Sequence, residues 1–116
     1  PYGMLDTPEF GAMNPNRKVP VLRDGDLVLW ESHTILRYLA ARYGAGSFWP
    51  EDPDERALVD RWTDWCATML QPAFMDVFWG YFRTPPDQRD WAFINDAIER
   101  TARLFAIMDD VLSRQP

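Results

Sequence analysis

Five residues near the start of the chain have the types and spacing to bind a charged small molecule: Lys18, Val19 and Pro20, then Glu31 and Ser32. Pro20 sits inside the β-prone run Lys18-Val19-Pro20-Val21-Leu22, where a proline removes a ladder hydrogen bond. It marks an edge strand, a bulge or a cis peptide bond. Glu31 and Ser32 open a helical pattern, and a helix N-terminus carries unpaired N–H donors with a partial positive charge. An acid for an ammonium group, a hydroxyl beside N–H donors for a carboxylate, and a strand edge for a peptide backbone form half of a site for a zwitterionic peptide. Charge-assisted hydrogen bonds contribute roughly 1.5–3 kcal/mol each, so two or three of them, less the cost of association, give an affinity on the order of millimolar to micromolar. Taken singly, each residue also has a structural reading: Ser32 as a helix cap, Glu31 as a first-turn acid, Pro20 as an edge marker.

The elements that must position these residues are legible from period and turn chemistry. Residues 1–16 are loop-like, with one short helical turn expected from the Thr7 cap and Pro8, and a turn at Asn14-Pro15-Asn16. Val19–Arg23 and Leu27–Trp30 read as two strands joined across Asp24-Gly25, the preferred type I′ pair with positive φ at both central residues. From Ser32 the period becomes helical, with Ile35, Leu36, Leu39 and Tyr43 on one face and Gly44 as the stop.

Residues 44–52 are a Gly- and aromatic-rich connector, and the domain boundary is placed there: 1–43 before it, 53–116 after it. Asp52-Pro53-Asp54-Glu55 starts the next helix, which carries Leu58, Trp62, Trp65 and Met69 towards Phe82; Pro72 predicts a kink near Ala67–Met69. After Thr84-Pro85-Pro86, a second long helix is expected over about 87–113, with Trp91, Ile94, Ile98, Thr101, Phe105, Met108 and Leu112 on its apolar face.

A net charge of −6 and a pI near 4.6 argue against nucleic acid or an anionic membrane as the main partner. Arg17 and Lys18 are the local cations available to an anionic ligand. The single cysteine, Cys66, allows no intrachain disulfide and suits a reducing, cytoplasmic setting. It lies mid-helix between tryptophans and reads as buried and inert. No apolar run reaches the roughly 20 residues of a membrane span. One histidine, His33, reads as an exposed helix residue, and with no clustered cysteines there is no metal site to propose.

The order Lys-Val-Pro-Val-Leu, Asp-Gly-Asp and Glu-Ser resembles the glutathione transferase family over essentially the whole chain. The resemblance implies a fold that passes from α+β to mainly α: part of a thioredoxin-like unit, then the first helices of an all-helical C-terminal domain. It implies that Pro20 is a cis-proline turning Val19 towards the ligand, whose cysteinyl part Val19 would bond through its N–H and C=O. Glu31 would face the γ-glutamyl ammonium, Ser32 would bind the γ-glutamyl carboxylate, and Lys18 would lie near the peptide backbone or glycyl carboxylate. Asp64 is a weaker candidate, reaching the γ-glutamyl ammonium across a dimer interface.

The implied function is a cytoplasmic, homodimeric glutathione transferase acting in detoxification, with glutathione as co-substrate, no metal, and a small electrophile against Trp62, Trp65, Phe78, Trp79 and Phe82. A glutathione-dependent disulfide reductase or peroxidase, or a non-catalytic binding module of the same fold, are the alternatives. The family is longer than this chain, and its thiol-activating residue is expected ahead of Pro1. A hairpin with one helix is marginal in water, so the folded molecule is expected to be longer or dimeric.

Overall fold

The computed structural model describes residues 5–114, so the part of the expected N-terminal loop in residues 1–4 lies outside the described residues. Between Asp60 and Arg61 the chain divides into two compact units, so the expected connector and the first two turns of the following helix belong with the first of them.

In the first unit Thr7 accepts a hydrogen bond from the Phe10 N–H (3.1 Å), and with Pro8 in the first turn it starts helix α1, Pro8–Met13. A two-stranded antiparallel hairpin follows, β1 (Val21–Asp24) and β2 (Leu27–Trp30). β1 starts two residues later than its apolar run suggests, because the Val19–Pro20 bond is cis and Pro20 has no N–H for the ladder. The turn also differs from expectation. Asp24 pairs with Leu27, so the central residues are Gly25 and Asp26, and only Gly25 has positive φ (60°). That is the pattern of a type II′ turn, with glycine at the first central position.

Helix α2 spans Ser32–Tyr43. Its cap is Glu31 rather than Ser32, and Gly44 ends it at φ −120° without entering the left-handed region. Ile35 is buried, whereas Leu36 and Tyr43 are exposed. Tyr43 turns its hydroxyl to Asp24 instead. Residues 44–52 are ordered by four N–H bonds that share or flank the Gly44 carbonyl, and by Arg56, which lies 5.0 Å over the Trp49 ring and donates to the Pro50 and Glu51 carbonyls. Asp52 caps helix α3, Pro53–Trp65, by accepting from the Asp54 and Glu55 N–H groups. Arg37 of α2 donates to Asp60 of α3 at 2.6 Å.

In the second unit the helix runs on through a π turn, Cys66–Leu70, into α4 (Gln71–Val77) and a second π turn, Phe78–Arg83. The irregularity expected from Pro72 is the first of these. Proline cannot bond the carbonyl one turn back, and a wider turn just ahead of it takes up the mismatch. Thr84 closes the second by donating to the Trp79 carbonyl (2.9 Å).

After a 3₁₀ turn at Pro86–Gln88, Asp90 accepts from the Phe93 N–H and starts α5, Trp91–Leu112, later than the expected 87. Burial on α5 follows Ile94, Ala97 and Thr101, with Leu104, Met108 and Val111 half-buried along the same line. Trp91, Ile98, Phe105 and Leu112, expected on that face, form a separate exposed row seven residues apart. The closest approach is at Gly80, where an added Cβ would stand 2.9 Å from Ile94 Cγ1.

Candidate functional site

The hairpin register brings the two halves of the motif together. Val21 pairs with Trp30, so one step towards the open end Pro20 comes opposite Glu31 and Val19 opposite Ser32. Directly opposed residues of an antiparallel pair are about 4.5–5.5 Å apart. Val19 is exposed, and its peptide bond to Pro20 is cis.

Glu31 adopts φ 73°, ψ 113°, a conformation outside the regions ordinary residues occupy, of the kind that costs about 1–3 kcal/mol and clusters at functional sites. Its carbonyl accepts the first helical bond from Ile35 (3.0 Å), but its side chain makes no capping bond. The N–H groups of Ser32, His33 and Thr34 therefore precede the first intrahelical donor with no cap from Glu31. Ser32, half-buried, is the first helical residue and holds its hydroxyl beside them; His33 is half-buried, not exposed as expected.

Lys18 is exposed, with its carbonyl accepting from Asn14 Nδ2 (2.7 Å). Arg17 is partly committed elsewhere: at φ 52° its guanidinium lies over Gly11 and 4.0 Å from Asp6. Asn14, read from sequence only as a turn residue, is buried and turns its side chain inward. Its neighbours Pro15 and Asn16 signal a turn but not which side chain is buried.

Asp24 ties the hairpin turn to α2. One of its carboxylate oxygens accepts from both Tyr38 and Tyr43 hydroxyls at 2.7 Å, with Arg42 3.9 Å away. The Tyr38 bond first, then Tyr43, with a smaller contribution from Arg42, holds the carboxyl below its ordinary value, and the Tyr38 hydroxyl is raised by the same bond.

In the second unit Trp62, Trp65, Cys66, Leu70, Met108, Val111 and Leu112 line an apolar cavity of about 270 Å³. Cys66 is thus partly exposed rather than buried. Of the aromatics expected to form one apolar surface, only Trp62 and Trp65 line this cavity, packed edge to face at 5.3 Å. Phe78, Trp79 and Phe82 stack among themselves, because the π turn re-aims them. Asp64 is exposed, and its carbonyl accepts from Thr68 Oγ1. Among the described residues no group of three or more His, Cys, Asp or Glu could hold a metal ion, and no helix is long and apolar enough to cross a membrane.

The family described as Glutathione S-transferase, N-terminal domain, matches residues 3–41, the segment that contains every residue of this candidate site. The theta class glutathione S-transferase from Xanthomonas axonopodis pv. citri, solved with glutathione bound, is 49% identical at a TM-score of 0.90, covering 97% of this chain and 54% of that one. The chain belongs to the glutathione S-transferase family. Glutathione S-transferase GstB of Escherichia coli (strain K12) is 43% identical over 115 residues, 97% of this chain and 55% of the relative. Ure2p5 from Phanerochaete chrysosporium, cocrystallized with 1-(S-glutathionyl)-2,4-dinitrobenzene, is 27% identical with a TM-score of 0.83, over 92% of this chain and 50% of that chain. The chain thus spans about half the length of the family members it matches.

Proposed function

We propose that residues 18–32 form the glutathione-binding half of a glutathione transferase. The observation that carries this is the register setting Val19-Pro20 opposite Glu31-Ser32 at the open end of the hairpin. In this reading the Val19 N–H and C=O pair with the cysteinyl unit as an added strand would, Glu31 accepts from the γ-glutamyl ammonium, and Ser32 with its N–H neighbours binds the γ-glutamyl carboxylate. Lys18 is the cation nearest the peptide backbone or glycyl carboxylate. The strained Glu31 is consistent with a backbone held for binding rather than for helix formation.

The chemistry is attack of the glutathione thiolate on a small electrophile. The thiol proton leaves, a carbon–sulfur bond forms, and the displaced electron pair departs with the leaving group. We assign no residue of this chain to activation of the thiol. The conjugate bound to Ure2p5 supports an electrophilic aryl carbon as one substrate class. A cytoplasmic homodimer acting in detoxification completes the proposal.

Calorimetric titration of glutathione into the intact protein, before and after Ser32→Ala, tests it. Loss of one charge-assisted bond should weaken binding by roughly ten- to a hundredfold. Unchanged affinity in the variant would sink the site. Retention of glutathione without turnover of an activated aryl halide would leave a binding module instead of a transferase.

A further inference from the structure

Asn14 is 3% exposed and uses every hydrogen-bonding group it has. Its backbone N–H donates to the Phe10 carbonyl and its carbonyl accepts from Arg17, both at 2.9 Å. Its side-chain oxygen accepts from the Asn16 N–H (2.9 Å), which fixes the amide so that Nδ2 faces the Lys18 carbonyl at 2.7 Å. One buried amide therefore ties the end of α1 to the segment immediately before Val19. That segment has no strand partner, since β1 begins only at Val21, and it passes through a left-handed residue at Arg17. Among the described side chains, Asn14 is the one whose hydrogen bond reaches the backbone at Lys18.

We infer that Asn14 is a positioning residue for glutathione: by holding the Lys18 carbonyl it sets the orientation of the Lys18–Val19 peptide, whose N–H is one of the two groups offered to the cysteinyl unit. Asn14 touches no ligand atom in this scheme. The inference rests on the glutathione reading above.

The test compares Asn14→Ala, Asn14→Asp and Thr7→Ala in the intact protein, with glutathione affinity measured by calorimetry and folding by thermal melt. Thr7→Ala removes the α1 cap and serves as a matched loss of stability that leaves the Lys18 carbonyl held. Asn14→Asp is isosteric and keeps the acceptor for Asn16, but loses the donor to Lys18. Both Asn14 variants should weaken glutathione about tenfold or more, while Thr7→Ala, melting at a similarly lowered temperature, changes affinity less than about threefold.

Affinity that falls in proportion to melting temperature in all three variants would overturn the inference, as would normal binding by Asn14→Asp. Asn14→Asp also decides the matter if Asn14→Ala does not fold. If Ser32→Ala weakens binding and the Asn14 variants do not, the positioning role alone fails. If the unaltered protein does not bind glutathione, the site reading falls and the role with it.

Discussion

Val21 pairs directly with Trp30, and that single register places the cis Val19–Pro20 bond beside the strained Glu31. Neither residue needs a long-range contact to reach the other: a two-residue turn does it. The candidate site is therefore as sound as the hairpin, and changes that test the hairpin also test the site.

Glu31→Gly separates strain from binding. Glycine reaches positive φ without a Cβ clash, so the variant should gain about 1 kcal/mol of folding stability, less glycine's own entropy cost. It also loses the carboxylate proposed for the γ-glutamyl ammonium, and glutathione should bind roughly tenfold or more weakly. Denaturant midpoints and calorimetry would show the two moving in opposite directions; a variant that is both less stable and unaltered in affinity contradicts this.

Asp24 gives a pH signature. Its carboxyl is held below the ordinary 3.8, chiefly by the Tyr38 hydroxyl and then by Tyr43. A depressed folded value means the contribution is present above 3.8 and is lost as pH falls through the lower folded value. Tyr38 is raised above 10.0, so its share is present below that pH and fades as pH rises through the folded value. Asp24→Asn should melt lower than the unaltered protein at neutral pH, and the gap should close in strong acid. A gap that persists there would argue that packing, not charge, is what the substitution removes.

Gly80 and Ile94 should behave as a coupled pair. A Cβ at Gly80 would press on the fully buried Ile94 at 2.9 Å, and overpacking of this kind costs about 1–3 kcal/mol. Ile94→Val alone costs about 0.5–1.5 kcal/mol. Adding it to Gly80→Ala should recover part of the loss, and strictly additive effects would show that the two side chains do not compete for space.

The Arg37–Asp60 bond at 2.6 Å, with both side chains about one-third exposed, is a weaker matter. Arg37→Met, which keeps the apolar stem, should cost about 0.2–1 kcal/mol, and less at high salt. A larger, salt-independent loss would assign Arg37 a packing role.

Local chemistry made much of this legible before any coordinates. Thr7-Pro8 and Asp52-Pro53 start helices because their side chains satisfy N–H groups within three residues, a range that sequence reports directly. The joint Lys18–Pro20 and Glu31-Ser32 pattern likewise marked the family and the residues of the site. What escaped was set by neighbours. The turn was centred one residue early, because Asp-Gly suits a type I′ pair whereas cross-strand pairing chose Gly25-Asp26. The buried face of α5 was mixed with its exposed row, since Ile98 and Phe105 are as apolar as Ile94 and Leu104 and only packing tells them apart. Asn14 was read as a turn former, because nothing in Asn14-Pro15-Asn16 says which asparagine points inward.

The π turn at Cys66–Leu70 has a consequence for how this helix tolerates insertion and deletion. Each residue advances an α-helix by roughly 100°, so a turn holding one extra residue shifts the angular phase of everything after it while the axis continues. Deleting one residue from 66–70 would not shorten a loop. It would restore a regular helix and swing Ala73, buried in the intact helix, about a quarter-turn away. In this stretch chain length acts as a dial for which face the next helix shows, and a gap there in a comparison with a relative reads as a rotation.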